Sequence, residues 1–245
     1  MTPGPPGARP ARPYPAPPRP AVARLLVVVP VHDEEELLAA CLASLAAAAD
    51  AAGAPVDTVV VLDDCRDRSA AVARSAGVRT LAVRAGAVGA ARAAGVDAGL
   101  ALRGDDPRAV WIACTDADTV VPPHWLRAHR SLADAGADVV VGTVRPDPRD
   151  LTPRQVAAWR ATRVPGRPNG HVHGANLGMR ADAYRRAGGF APLVEHEDVD
   201  LVARLRAEPG VVVRASDEVD VVTSGRTVGR TPGGYAGYLR DAFPA

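Results

Sequence analysis

Four groups of acids stand out by position. Glu34 lies just past an apolar run at residues 25–31, Asp63-Asp64 closes a second run at 56–62, and Asp116 and Asp118 follow a third at 109–113. Glu197-Asp198 sits at the start of a helical stretch. Carboxylates crowded at neighbouring strand ends resist joint ionisation unless something positive compensates them. A divalent metal and the polar groups of a nucleotide would do so. Hard oxygen donors suit Mg²⁺ or Mn²⁺, which keep waters and phosphate oxygens in their shell. Spacing alone is a poor guide, because acid-x-acid also occurs at Asp198/Asp200 and Glu218/Asp220. What marks Asp116 and Asp118 is the buried strand before them and Pro122-Pro123 after them. A cap for a helix at 124–135 is the competing assignment there. For Asp63-Asp64 it is a solvated turn leading to Asp67 and Ser69.

The elements that must position these acids follow from periodicity. A continuous apolar run at 25–31, a β-branched stretch at 56–62, a short stretch at 78–83 and a further one at 109–113 predict the strands of a parallel sheet. Leu37, Leu38, Cys41, Leu42 and Leu45 repeat at helical spacing, with acids at 33–36 on the favourable amino-terminal side. Further helices are expected at 69–75 and 87–102. This alternation predicts an α/β domain with a doubly wound, mostly parallel sheet. Ligands of such sheets bind beyond the carboxyl ends of the strands, where the acids lie. The second half is less regular. Helices are expected at 124–135, 151–163, 182–187 and 195–207, and strands at 139–144, 211–214 and 219–223. A Pro/Gly-rich loop at 164–170 precedes His171 and His173.

Taken in order, these segments resemble family 2 glycosyltransferases of the GT-A fold, over residues 24–240. Val29 to Glu35 (V-P-V-H-D-E-E) resembles the opening strand and its P-x-x-N-E turn, and Val59 to Asp64 the strand ending in paired aspartates. Thr115-Asp-Ala-Asp118 resembles the D-x-D metal motif, and Gly188-Gly-Phe190 with Glu197-Asp198 the acceptor-side signature. Gly86 to Gly95 resembles a helix start, G-x-x-x-A-R-N-x-G, with Ala93 in place of the Asn.

The resemblance implies a nucleotide-sugar-binding half (23–119) fused to an acceptor-binding half (120–245). It implies a metal-dependent, inverting transfer of one sugar from a nucleotide-sugar, with uracil favoured, to a hydroxyl-bearing acceptor. Asp118 would ligate Mn²⁺ or Mg²⁺, and Asp116 would reach the ribose or the metal through water. Pro30, Glu34, Asp63, Asp64 and Asn176 would contact the nucleotide-sugar, with Asp64 the preferred acceptor of the uracil imide N–H. Small residues at 86–95 would let the backbone approach the nucleotide. Arg92 is either a base or phosphate contact or an exposed residue of an Ala-rich core helix. Asp198 would take the acceptor's proton, with Glu197 orienting the acceptor or tuning its neighbour. His171 and His173 would grip donor or acceptor hydroxyls, unless they are ordinary surface histidines. Residues 222–226 lack the late metal-binding histidine common in GT-A enzymes, so the metal would rely on Asp118, phosphates and water, and residues 223–230 would close over the diphosphate with Arg226 or Arg230 as its counter-charge.

Composition removes other classes. A formal net charge of +1, with Arg9, Arg12, Arg19 and Arg24 at the start, leaves a mildly acidic body without the basic footprint of a nucleic-acid binder. No apolar run reaches membrane-spanning length. Three scattered cysteines fit a reducing compartment, and the expected location is cytoplasmic. Residues 1–22 read as a disordered Pro/Arg-rich tail. Neither G-x-G-x-x-G nor G-x-G-x-R follows a strand, which counts against oxidoreductases and nucleotidyltransferases. A GT-A domain that binds nucleotide-sugars without turnover is the remaining rival.

Overall fold

Among the described residues, valine-rich strands build one eight-stranded sheet whose central members are buried on both faces. The structure, a computed structural model, describes residues 19–229 and 233–244. Its first half runs β1 (Arg24–Val31), α1 (Leu38–Asp50), β2 (Val56–Asp63), α2 (Ser69–Ser75), β3 (Arg79–Val83), α3 (Val88–Leu100) and β4 (Val110–Cys114). The second half runs β5 (Thr119–Val120), α4 (Trp125–Asp134), β6 (Val139–Pro146), α5 (Pro153–Ala161), β7 (Leu177–Arg180) and α6 (Ala181–Arg186). It ends with α7 (Glu197–Ala207), β8 (Val213–Thr223) and α8 (Tyr235–Ala242).

The strand order is β3-β2-β1-β4-β7-β6-β8-β5. β7 runs antiparallel to both neighbours, β5 runs antiparallel to β8, and every other pairing is parallel. β1, β2, β3, β4, β6 and β8 therefore end at one rim. The chain leaves β1 towards β2 and later returns to β4 on its other side, which opens a crevice between the carboxyl ends of β1 and β4. Strand alternation divides the core. Val27, Val29, Val60 and Trp111 pack with Leu38, Leu42 and Trp125 on one face. Leu26, Val28, Val59, Val61 and Ile112 pack with Val96, Leu201 and Leu205 on the other.

Several expectations change. The acids at 33–36 do not open the first helix. Asp33 is left-handed (φ 51°), and the turn is tied across to the next loop by Ser69 Oγ and Asp67, which accept from the N–H groups of Glu34 and Glu35. The strands expected at 211–214 and 219–223 are one strand, β8. Its polar middle still pairs, Ala215 with Val141 and Ser216 with Gly142, before a bulge resets the register at Val221 and Val144. Residues 177–180 form β7, because insertion between β4 and β6 satisfies a segment too short to show a period. Neither β5 nor α8 was expected.

The domain also begins earlier than residue 23. Arg19 donates to Asp138 at 2.6 Å and to the Gly210 carbonyl at 2.8 Å, and the Val22 N–H donates to Asp134 at 2.8 Å. Residues 19–22 therefore pack on the body, and the rest of the expected tail, 1–18, lies outside the described residues. Among the described residues no helix is long and apolar enough to cross a membrane.

One core residue makes stability depend on pH. His129 of α4 is fully buried, its ring edge-on to Trp125 at 4.9 Å and 5.9 Å from Trp111. Burial pushes its imidazole down to about 3. An unfolded histidine titrates near 6.5, so below that pH the unfolded chain binds the extra proton and the native state does not. Stability from this residue is complete above about pH 6.5 and falls towards pH 3, by about 2 kcal/mol between pH 6.5 and 5. Urea midpoints of the parent and His129→Gln at pH 7 and pH 5 check this. The parent should lose more stability over that interval, and equal losses would show that another group is responsible.

Candidate active site

A cleft of about 720 Å³ opens at the rim between β1 and β4. Pro30 and Glu34 reach it from the end of β1, Asp63 from β2, and Asp116 and Asp118 from the turn after β4. Asp63 is buried, and its Oδ1 accepts from the N–H groups of Ala85 at 2.6 Å and Gly86 at 3.3 Å. Asp64 does not line the cleft. It is left-handed (φ 48°), exposed, and paired with Arg66 at 3.2 Å. Successive strand residues face opposite ways, so only one of the pair can turn towards the crevice.

Asp118 is the acid with the most disturbed charge. Burial raises its carboxyl to about 6, the Asp116 and Glu34 carboxylates add to the rise, and Arg226 opposes it. Arg226 Nη2 lies 2.9 Å from Asp118 Oδ2 and 2.8 Å from Glu34 Oε1. The Thr223 hydroxyl donates to Asp118 Oδ1 at 3.1 Å, and the Ser224 N–H donates to the Asp118 carbonyl at 3.1 Å. A largely covered carboxylate beside two others and a threonine hydroxyl offers oxygen ligands, the kind that suits a hard divalent ion, and Arg226 now supplies the positive charge there. Thr223 was expected only within a segment that would close over the diphosphate, and its contact with Asp118 was missed, its place at the end of a strand being the available signal. Arg230 lies outside the described residues. Among the described residues the group that gathers its ligand atoms within 4.8 Å is a different one, Asp33, Cys65 and Asp67, which does not line the cleft. Its groups are engaged by their own turns: Asp33 accepts from the Arg66 N–H, Asp67 from the Ser69 N–H, and Cys65 donates to the Val31 carbonyl.

Arg92, only 2% exposed, forms part of the cleft floor. Its Nη1 donates to Glu197 Oε1 at 2.5 Å and its Nη2 to Asp116. Burial works against the guanidinium charge, but Asp116 and Glu197 outweigh it and raise its pKa. Both forks are thus occupied by protein acids, which corrects the exposed reading of Arg92, while the residue still contributes to the cleft lining. The small residues around it also face protein. A Cβ on Gly174 would lie 1.7 Å from Arg92 Nη1, one on Gly89 2.0 Å from the Ala191 carbonyl oxygen, and one on Gly95 2.6 Å from Val28 and Val61.

The acidic pair at the start of α7 divides by direction. Glu197 points inward to Arg92, and burial raises its carboxyl while the guanidinium opposes the rise. Asp198 is partly exposed and lines the cleft. Its Oδ2 accepts from the Gly174 N–H at 2.6 Å and its Oδ1 from the Val199 N–H at 2.8 Å, which fixes its orientation.

Asn176, expected at the nucleotide-sugar, is a correction. It is fully buried and does not line the cleft. Its amide donates to the carbonyls of Thr143 at 2.7 Å and Val219 at 2.6 Å, and its oxygen accepts from Trp125 Nε1 at 2.9 Å. Both donor hydrogens are used inside the core, so none remains for a ligand. His171 and His173 do line the cleft, beside two residues the sequence reading missed. His173 meets Tyr235 edge-on at 5.6 Å, and His171 meets Tyr238 edge-on at 6.0 Å. Burial lowers the His173 imidazole to about 4, with Asp198 opposing, so this ring is neutral near pH 7. The signal for the tyrosines was their i, i+3 spacing after Gly233-Gly234.

A parallel nucleotide-type half, continued through an antiparallel return strand into a second half that shares its cleft, is the GT-A glycosyltransferase fold. Solved structures share it. TarS 1–349 from S. aureus matches with TM-score 0.61 over 83% of this chain and 61% of that one, at 12% identity. A mannosyltransferase from Pyrobaculum calidifontis, PcManGT in complex with GDP-Man and Mn²⁺, matches with TM-score 0.58 over 84% and 57%, at 20% identity. The chain belongs to glycosyl transferase family 2, whose profile matches residues 26–187. An undecaprenyl-phosphate 4-deoxy-4-formamido-L-arabinose transferase from Edwardsiella ictaluri is 32% identical over 171 residues, 70% of this chain and 52% of that protein. The chain thus spans about half the length of that curated relative.

Proposed function

We propose that this chain transfers a single sugar from a UDP-sugar to an acceptor hydroxyl with inversion, using a divalent ion at Asp118. The observation that carries the reading is that one cleft brings Asp118 and Asp198 onto its walls, over an arginine that holds Asp116 and Glu197 together. Asp63, beside Gly86, would accept from the uracil imide N–H. Asp118, with Asp116, would hold Mn²⁺ or Mg²⁺, and the ion would offset the charge gained by the departing diphosphate. Asp198 takes the acceptor's proton as the acceptor oxygen bonds to the anomeric carbon. The bond from that carbon to the diphosphate oxygen breaks on the opposite side, and its electron pair leaves with UDP.

A thermal-shift screen of UDP-, GDP- and dTDP-sugars, each with and without Mn²⁺, tests the reading. A ligand at 100 times its dissociation constant adds about 2.7 kcal/mol of stability, which is easily seen in such a scan. The largest shift is expected from a UDP-sugar with Mn²⁺. A larger shift with GDP-mannose would overturn the uracil assignment, and no shift with any nucleotide would overturn donor binding.

A further inference from the structure

Arg226 stands where a metal-dependent transferase would place its ion. Its guanidinium spans Asp118 and Glu34, and the Asp118 oxygen it contacts is the one the Thr223 hydroxyl leaves open. The backbone beneath it is pinned: the Ser224 N–H donates to the Asp118 carbonyl, and the Gly225 N–H donates to Asp150 Oδ2 at 2.7 Å. The side chain is not pinned in the same way, since 36% of it is exposed and it lines the open cleft. Arg92, the other cation described in the cleft lining, is buried and held by two acids, so it cannot move in its place.

On the reading above, we propose that Arg226 acts as an exchangeable counter-ion for the metal carboxylates. It neutralises them while the cleft is empty and transfers to the diphosphate when the nucleotide arrives, so that metal uptake depends on the nucleotide. Two cations sharing one carboxylate oxygen in a partly buried site repel strongly. A divalent ion arriving alone must therefore displace the guanidinium, with no new partner to receive it. A diphosphate supplies that partner, because guanidinium groups bind phosphate oxygens through two parallel hydrogen bonds. Once the guanidinium has moved, Asp118 Oδ2 is free for the ion. The coupling is reciprocal, so the ion tightens the nucleotide by the same factor.

Mn²⁺ titrations followed by the paramagnetic resonance of the free ion test this on the full chain, with and without UDP. In the parent, UDP should tighten Mn²⁺ by about 10-fold or more. Arg226→Gln should bind Mn²⁺ alone about 10-fold more tightly than the parent and lose most of the UDP dependence. Arg226→Lys, which keeps the charge, should stay close to the parent for Mn²⁺ alone and so exclude a general loosening of the loop. Asp118→Asn should lose Mn²⁺ with or without UDP. If Asp118→Asn loses Mn²⁺ but Arg226→Gln binds it no more tightly than the parent, the exchange is overturned and the metal site stands. If Asp118→Asn binds Mn²⁺ normally, the metal site is overturned and the exchange falls with it.

Discussion

Asp198→Asn is expected to slow the proposed transfer by about 10²–10⁴-fold while leaving nucleotide affinity unchanged. Asparagine keeps an oxygen for the Gly174 or Val199 N–H that now fixes Asp198, so the loop and the start of α7 should persist. What it loses is the group that accepts a proton. UDP release, with water or a screened sugar as acceptor, measures the rate, and calorimetry with UDP and Mn²⁺ measures donor binding. Turnover close to the parent's would move the role to His171 or His173, because Glu197 is already engaged by Arg92. Loss of nucleotide affinity together with turnover would show that Asp198 supports the donor side instead. An α-linked donor should give a β-linked product, read from the anomeric proton coupling.

The largest stability effect is expected from Arg92→Met. Methionine has a similar reach and no charge, so the change leaves Glu197 buried and Asp116 beside it without their shared cation. Removing one partner from a buried charge network costs about 3–5 kcal/mol. Arg92→Lys should recover only part of this, since one ammonium cannot match two forks aimed at two carboxylates. Urea unfolding at pH 7 reads both variants. A loss of less than about 1 kcal/mol for Arg92→Met would mean that solvent or relaxation already compensates the two acids.

Arg92 also shows what the sequence contained and what it hid. Gly89, Arg92, Gly95, Val96 and Gly99 form the buried stripe of α3, so a charge on the small-residue face of a core helix was visible as a residue in need of partners. The partners were not visible, because Asp116 and Glu197 lie 24 and 105 residues away. The strand-end acids were legible for the opposite reason: a continuous apolar strand fixes where its own last residue goes. Asp63 over Asp64 was half legible. Alternation required that only one face the cleft, but choosing it needed to know that Val59 and Val61 pack on the α3 side, where Gly86 lies. Asn176 misled because a G-x-N segment looks the same whether its amide meets a sugar or the carbonyls of two strands. The polar stretch at 215–218 hid the continuity of β8, since only pairing with β6 carries a strand through it.

The reversal of β7 gives the two walls of the cleft different freedom to change. On the wall proposed to hold the donor, Pro30 and Asp63 lie at the ends of their strands and Asp116 just past one, each held by the strand that delivers it. On the acceptor wall, Gly174 precedes β7 and is fixed by what it rests on, Arg92 below and Asp198 beside it. The chain from 162 to 173 is mostly exposed and meets the sheet at two points, Arg163 donating to the Val144 carbonyl and Asp220, and the Gly166 N–H donating to Asp217. Under the proposed function, a lineage of such proteins can recolour this exposed approach between its two anchors and try new acceptors, while the wall proposed for the nucleotide remains under the discipline of its strands.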